Sequence, residues 1–497
     1  MRIKRAVATV LAVTTTVLTA STNPAAAQST GTVQVHPTKA LARIEPGAVG
    51  ADVPFWNPHL KDARTTQLIR GAGIGTLDFD AGAPLDLYDW RHNQLRPDPD
   101  AARDAPLFLA TGPACAPTFT FDEFEATARR AGVRTTVHVN YGTGTAAEAA
   151  AWVNYANNVR HDRVQNWMIG AEVWLDQIFE PNNRVSTTSP EPPELDGTRY
   201  AKDVIAFAAA MKAVDPTIRI GVELATVVAG QENADDQAKY FTAWNRAVVA
   251  TPGLTSAIDY VDIHGLPRHP DEDPTITGAL AAVRTVPATL AAMRADLDHH
   301  QGHQVTITVG EVNSFPAGNE YTTTTGNAAY LADAQATLLE HGVTSAHWFA
   351  LYSGLNQPAP GADLGLISSG SCLPANSGQV CESAAGTPFA TYYAEKLFGS
   401  VAVPTGTWIA TATATAGVST HAVRLPNATV KVLLINTSGA TTQPETISVD
   451  GACPTTEVRV SQTSASGITT WSQAGNTSIV LPPYSVTVAT YRSAGAL

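Results

Sequence analysis

The chain has 497 residues, of which 44% are hydrophobic and 15% charged, and it carries a formal net charge of −13. That length exceeds one ordinary domain and suits a large core domain with a smaller companion. The acidic balance, with no basic patch, argues against nucleic acid and anionic membranes as partners.

The chain opens with the cationic Met1-Arg-Ile-Lys-Arg5, followed by the apolar run Ala6 to Ala20 and the small residues Pro24-Ala-Ala-Ala27. This is the pattern of a secretory signal peptide, residues 1–27, with cleavage expected after Ala27 and a secreted, extracellular product. The apolar run is too short to span a bilayer, and no later stretch reaches the roughly 18 consecutive apolar residues of a membrane helix. Within residues 28–45, Gly31-Thr-Val-Gln-Val-His-Pro37 reads as a strand expected to pair with a sheet at the other end of the chain.

From 46 to 400, short β-branched runs alternate with helical segments, the signature of repeated βα units. Eight strands are expected near Gly47–Val53, Gly73–Phe79, Val133–Asn140, Asn166–Val173, Ile218–Ala225, Ile258–His264, Val305–Glu311 and Ser345–Leu351. Eight units close most economically into a (β/α)₈ barrel, an α/β fold, although an open doubly wound sheet has the same pattern. Thr120 with Glu123, and Thr145 with Glu148, fit the capping box at two helix starts. Pro190-Glu-Pro-Pro-Glu-Leu195 reads as an exposed insertion on the C-terminal face of the barrel. After 400, runs such as Val430–Asn436 and Ser478–Leu481 alternate as in a β-sandwich, so 401–497 is expected to form one. Of four cysteines, Cys372 and Cys381 bracket a short loop and are the expected disulfide; Cys115 and Cys453 remain as further partners.

Active sites of such barrels form at the C-terminal ends of the strands. Trp167-Met-Ile-Gly-Ala-Glu172 and Thr306-Ile-Thr-Val-Gly-Glu311 each end a candidate strand, the fourth and the seventh, on a glutamate in apolar surroundings. Burial raises a carboxyl pKa, as an acid catalyst near neutrality requires, and a second carboxylate facing it completes a retaining pair. Glu172 is therefore the candidate acid/base and Glu311 the candidate nucleophile. Asp52 and Trp56, Asp78 and Asp80, Asn140 and Tyr141, Ala171 and Trp174, His264, Asn313 and Trp348 lie at or near strand ends and form the candidate sugar-contacting set. Glu223 reads as a barrel-interior carboxylate. His269, His299 and His300 lack the His-Glu-x-x-His spacing of a zinc site, so no metal and no cofactor is expected.

These features resemble clan A retaining glycoside hydrolases over most of the chain, especially the arabinofuranosidase, xylosidase and β-glucuronidase branches with an attached β-sandwich. Gly170-Ala171-Glu172 matches their Gly-Asn-Glu acid/base segment, and Glu311 their seventh-strand nucleophile. Val139-Asn-Tyr-Gly-Thr-Gly144 is similar to a third-strand segment of secreted actinobacterial members, and Trp348 matches an eighth-strand aromatic that forms a sugar platform. Three positions depart. Ala171 stands where the relatives' asparagine bonds the sugar 2-hydroxyl. Asp78 stands in place of a second-strand arginine, which would set a carboxylate beside Glu311 and raise one of the two pKa values unless a hydroxyl or cation intervenes. Leu266 stands where a tyrosine bonds the nucleophile. The resemblance implies retaining hydrolysis of a polysaccharide or oligosaccharide. A non-catalytic carbohydrate-binding protein on the same barrel, and a transglycosylase using the same glutamates, are the alternatives; the oligomeric state is not readable.

Overall fold

The structure is a computed structural model that describes residues 30–97, 116–175, 193–267, 273–315, 318–355, 358–376, 378–450 and 457–491. The segment expected to be a signal peptide, Cys115, Cys453, His269 and the start of the proline-rich insertion lie outside the described residues. Among the described residues, β1 (Gly31–Arg43) precedes eight parallel strands that close a barrel. These are β2 (Val49–Asp52), β3 (Thr76–Phe79), β4 (Arg134–Val139), β5 (Asn166–Ile169), β6 (Arg219–Leu224), β7 (Tyr260–His264), β8 (Thr306–Val312) and β9 (Val343–Trp348). Each expected run overlaps one barrel strand, with its ends moved by a few residues. The strands pair in chain order, β9 returning to β2 with Trp348 beside Ala51. The closed ring decides between the barrel and the open sheet in favour of the barrel.

The helices start where local chemistry places them. Thr120 caps Phe121–Ala131 with a complete capping box, its hydroxyl taking the Glu123 amide while the Glu123 carboxylate takes the Thr120 amide. Thr145 caps Ala146–Val153 through the Glu148 amide. The segment Ile276–His299 is long and apolar enough to cross a membrane by length and composition. Its apolar residues, among them Ile276, Leu280, Val283, Val286 and Leu290, are instead buried in the core that the barrel shares with its ring of helices.

After the barrel come β10 (Thr407–Thr413), β11 (Val418–Arg424), β12 (Val430–Asn436), β13 (Gln443–Val449), β14 (Val458–Ser464), β15 (Gly467–Gln473), β16 (Ile479–Leu481) and β17 (Val486–Tyr491). Together with β1 they form one mixed sheet, β1 pairing antiparallel with β10 and parallel with β13. The sheet curls like a sandwich: the Gln462 amide on β14 donates to the Val480 carbonyl on β16, joining strands from opposite regions of the sheet order. Alternation divides the strands between two cores. Leu433 and Ile435 face the barrel helices, whereas Val432 and Leu434 face a second core containing Val33, Val35, Ile409, Val458 and Leu481. Buried His421 of β11 ties the sheet to the helix Thr325–Glu340, lying 3.0 Å from Asp333 and 2.9 Å from Glu340. Cys372 and Cys381 are joined by a disulfide across a short hairpin.

Candidate active site

The interior of this barrel is charged. Asp52, Asp78, Asp80, His138, Glu223, Asp262, His264 and His347 are all buried, on strands whose alternate residues point inward. At the C-terminal mouth, above this layer, the Glu172 and Glu311 side chains keep 24% and 20% of their surface exposed. They are thus the carboxylates of the network that a ligand in the mouth can reach.

Each glutamate is presented by backbone geometry. Strand β5 ends at Ile169, earlier than expected, because Gly170 turns the chain with φ 86° and Glu172 follows at φ 53° before a 3₁₀ turn. A side chain at position 170 would meet Val173 Cγ2 at 2.4 Å, so the turn requires glycine. Glu172 is thereby held in a left-handed conformation, the kind of local strain that surrounding structure must impose. Two buried groups impose it here: Nδ1 of His138 donates to the Gly170 carbonyl at 3.1 Å, and the Glu223 carboxylate accepts from the Val173 amide at 3.4 Å. Glu311 stands on β8 beside His264 of β7, at an irregularity in register between Val309 and Glu311.

His264 joins the two. Its Nδ1 lies 3.7 Å from Glu172 Oε1 and 3.8 Å from Glu311 Oε1. Two oxygens so close to one nitrogen cannot be further apart than those distances laid end to end. That span admits the roughly 5–5.5 Å of a retaining pair and cuts off the upper part of the inverting range. On its other side, Nε2 lies 3.3 Å from Asp262 and 3.8 Å from Glu223, and the edge of Trp174 packs against the ring at 5.6 Å. Burial opposes a charge on His264, but Glu311, Glu223, Asp262 and Glu172 outweigh it and hold its pKa well above the usual imidazole value. Glu311 is raised well above the ordinary carboxyl range, first by burial and then by Glu172, Asp80 and Glu223, with His264 pulling the other way. Burial also pushes Glu223 up to about 7. The cluster therefore retains a proton near neutrality while keeping a cation against both glutamates.

The candidate residues separate into those at the mouth and those elsewhere. Asp80 lies within 4.8 Å of His264 and Glu311, and its Oδ1 is fixed by the Ala81 and Gly82 amides. The expected carboxylate beside Glu311 is thus Asp80 rather than Asp78. Asp78 sits deeper: burial would raise it, but His138 at 3.3 Å and His347 at 3.0 Å hold it below the usual range. Asp52 is wholly buried next to Asp78, so neither aspartate lines a sugar pocket. Ala171 is buried in the turn, and Trp56 stays half-buried beside Phe55.

Trp348 is a correction. Its side chain is 0% exposed, its Nε1 donates to the Leu364 carbonyl, and its ring meets Tyr330 of an outer helix. Because His347 points into the barrel, alternation sends Trp348 outward into the core. The half-buried aromatic at this strand end is Phe349. Asn140, Tyr141 and Asn313 are each engaged by the protein itself. Asn140 bonds Tyr88, Thr143 and Gly144; Asn313 bonds the Phe349 and Leu364 carbonyls; Tyr141 is buried with its hydroxyl on Asp203. They brace loops. Leu266 is fully buried. His138 and Glu223, which hold the turn under Glu172, were legible only as inward positions of strands.

No family model matches the chain. It is similar to arabinofuranosidases. Over 298 residues it is 24% identical to a probable alpha-L-arabinofuranosidase C of Aspergillus clavatus, covering 53% of this chain and 54% of that protein. Over 293 residues it is 24% identical to alpha-L-arabinofuranosidase C of Emericella nidulans, covering 52% and 53%. The chain thus spans about half the length of the curated relatives it matches. Among solved structures, the alpha-L-arabinofuranosidase from Thermotoga maritima in its arabinose complex superposes with a TM-score of 0.67 at 15% identity, covering 93% of this chain and all of that one. The family 51 alpha-L-arabinofuranosidase of Bifidobacterium longum gives 0.67 at 14% identity, covering 94% of this chain and all of that one. A xyloglucanase of Paenibacillus polymyxa gives 0.65 at 12%, with the same coverage. These likenesses establish the fold, a (β/α)₈ barrel carrying a β domain.

Proposed function

We propose that the chain is a secreted retaining glycoside hydrolase acting on a polysaccharide or oligosaccharide, with Glu172 as acid/base and Glu311 as nucleophile. The observation that carries this reading is that both carboxylates, one from β8 and one from the turn after β5, lie against the same nitrogen of His264. In the first step Glu172 gives its proton to the glycosidic oxygen as that bond breaks, and Glu311 bonds to the anomeric carbon. In the second, Glu172 takes a proton from water, whose oxygen displaces Glu311 from that carbon. Each cycle returns both groups to their starting states. The names of the relatives make α-L-arabinofuranosides the first substrates to try.

Incubation with 2-fluoro glycosyl inactivators, arabinofuranosyl first, is expected to leave one covalent adduct, on the peptide containing Glu311, detected by mass spectrometry. An adduct elsewhere reassigns the nucleophile. No adduct across the panel together with measurable polysaccharide affinity favours the binding-protein reading, to which Ala171 and Leu266 belong.

The cation beside the pair has its own consequence. Glu311 must be ionised to attack, and His264 is the group that favours its ionisation. His264→Gln is therefore expected to move the acidic limb of kcat/KM upward by roughly 1–3 pH units. Glu223→Gln, which removes a neighbouring carboxylate, should move it downward. A pH-rate profile unchanged by either substitution would remove His264 from its role.

A further inference from the structure

Beneath the catalytic pair is a second concentration of buried charge that the proposed reaction does not use. Asp52 of β2 lies level with Asp78 of β3, and His347 of β9 closes the group; one ligand atom from each falls within 4.8 Å of the others. Nδ1 of His347 is 3.0 Å from Asp78 Oδ2 and 3.8 Å from Asp52 Oδ1. Exposure is 0% for Asp52, 2% for Asp78 and 3% for His347.

The hydrogen bonds settle which nitrogen of His347 carries a proton. The Ser345 hydroxyl gives its single hydrogen to the Gly47 carbonyl at 2.8 Å, so it accepts from His347 Nε2, also at 2.8 Å. Nε2 is therefore protonated, and Nδ1 faces two carboxylates. With no ion between the groups, neither oxygen of Asp52 has a hydrogen-bond partner. A fully buried carboxyl group left unpartnered is a costly arrangement. A divalent cation between the three groups, bound through Nδ1, gives Asp52 its partner.

Geometry and access agree with the second arrangement. Tetrahedral zinc with bonds of roughly 2.0–2.2 Å sets its ligand atoms about 3.3–3.6 Å apart, and the observed 3.0 and 3.8 Å bracket that spacing. Asp78 and His347 line a cavity of about 420 Å³ among the starts of the barrel strands, which offers a route in and room for a water as fourth ligand. The buried Tyr260 hydroxyl on the same cavity is also without a hydrogen-bond partner. The second oxygen of Asp78 is in ion-pair contact with His138 Nε2 at 3.3 Å. Gly50 makes the ring position possible, since a Cβ there would lie 2.0 Å from His347 Cδ2.

We propose that Asp52, Asp78 and His347 form a binding site for one divalent transition-metal cation of the zinc type, held in the barrel interior and oriented through Ser345. The full chain, loaded with Zn²⁺ and dialysed into metal-free buffer, is expected to retain one zinc per chain by elemental analysis. Loaded with Co²⁺ it is expected to show the visible absorption of a tetrahedral site. His347→Gln and Asp52→Asn should each abolish retention, and Ser345→Ala should weaken zinc affinity by roughly 10–100-fold. Should the two ligand variants fail to fold, X-ray absorption on the zinc-loaded parent chain reads the same point: one imidazole nitrogen with oxygens supports the site. No retained metal, retention unchanged in all three variants, or a shell of several imidazoles would overturn it.

Discussion

If the proposed reaction holds, Glu311→Gln is expected to lower kcat/KM by on the order of 10⁴-fold or more on every glycoside substrate, a loss that belongs to groups acting as a unit in the transition state. The amide keeps the shape of the side chain and its place beside His264, so the loss reports the missing nucleophile rather than a rearranged mouth. Glu172→Ala should behave differently. It is expected to cost roughly 10²–10⁴-fold, most on substrates whose leaving alcohol is a poor leaving group. With an activated aryl leaving group the first step needs no proton, so the glycosyl-enzyme should accumulate and give a burst, and added azide should restore turnover. Steady-state and pre-steady-state kinetics on paired aryl and alkyl glycosides make the distinction. Equal losses for both leaving groups would show that Glu172 is not the proton donor, and residual activity of Glu311→Gln within tenfold of the parent would end the two-glutamate reading.

The barrel was legible because its signal is local and repeated. Eight inward and outward alternations, punctuated by helix caps such as Thr120 and Thr145, leave few arrangements besides a closed ring. The two glutamates were legible for the same reason, since position at a strand end predicts the mouth of the barrel. What was not legible depended on the phase of single residues. Trp348 and His347 are neighbours, and which of them faces inward is fixed by pairing with β2, where Gly50 leaves space for the imidazole ring. One residue of phase moved Trp348 from platform to core. Asp78 and Asp80 differ likewise: both point inward and both lie against His138, yet a rise of two residues carries Asp80 up to Glu311. The proposed metal site likewise lies outside any reading that looks for ligands close in sequence. Asp52, Asp78 and His347 come from three strands, which no spacing rule connects.

Trp152→Ala is expected to destabilise the fold by about 3–5 kcal/mol, the range for removing a large aromatic side chain from a core. Trp152 is 1% exposed, on the helix Ala146–Val153, and stacks on Trp90 at 5.6 Å with an interplanar angle of 7°. Its edges and faces also meet Phe79 at 6.0 Å, Phe121 at 5.4 Å and Trp167 at 5.9 Å. Its indole nitrogen has no hydrogen-bond partner, so the loss is one of packing, and Trp152→Phe should recover a large part of it. Phe79 transmits the effect to the site. It ends β3, touches Phe55, Tyr88, Phe119 and Phe124 as well, and directly precedes Asp80, whose carboxylate stands near Glu311. A cavity behind Phe79 therefore loosens the strand that positions Asp80. The expected result is a fall in Tm of about 3–5 °C, because the entropy of unfolding grows with chain length, with activity at 25 °C reduced far less than in the Glu311 variant. A Tm within about a degree of the parent would mean that this aromatic cluster does not anchor β3.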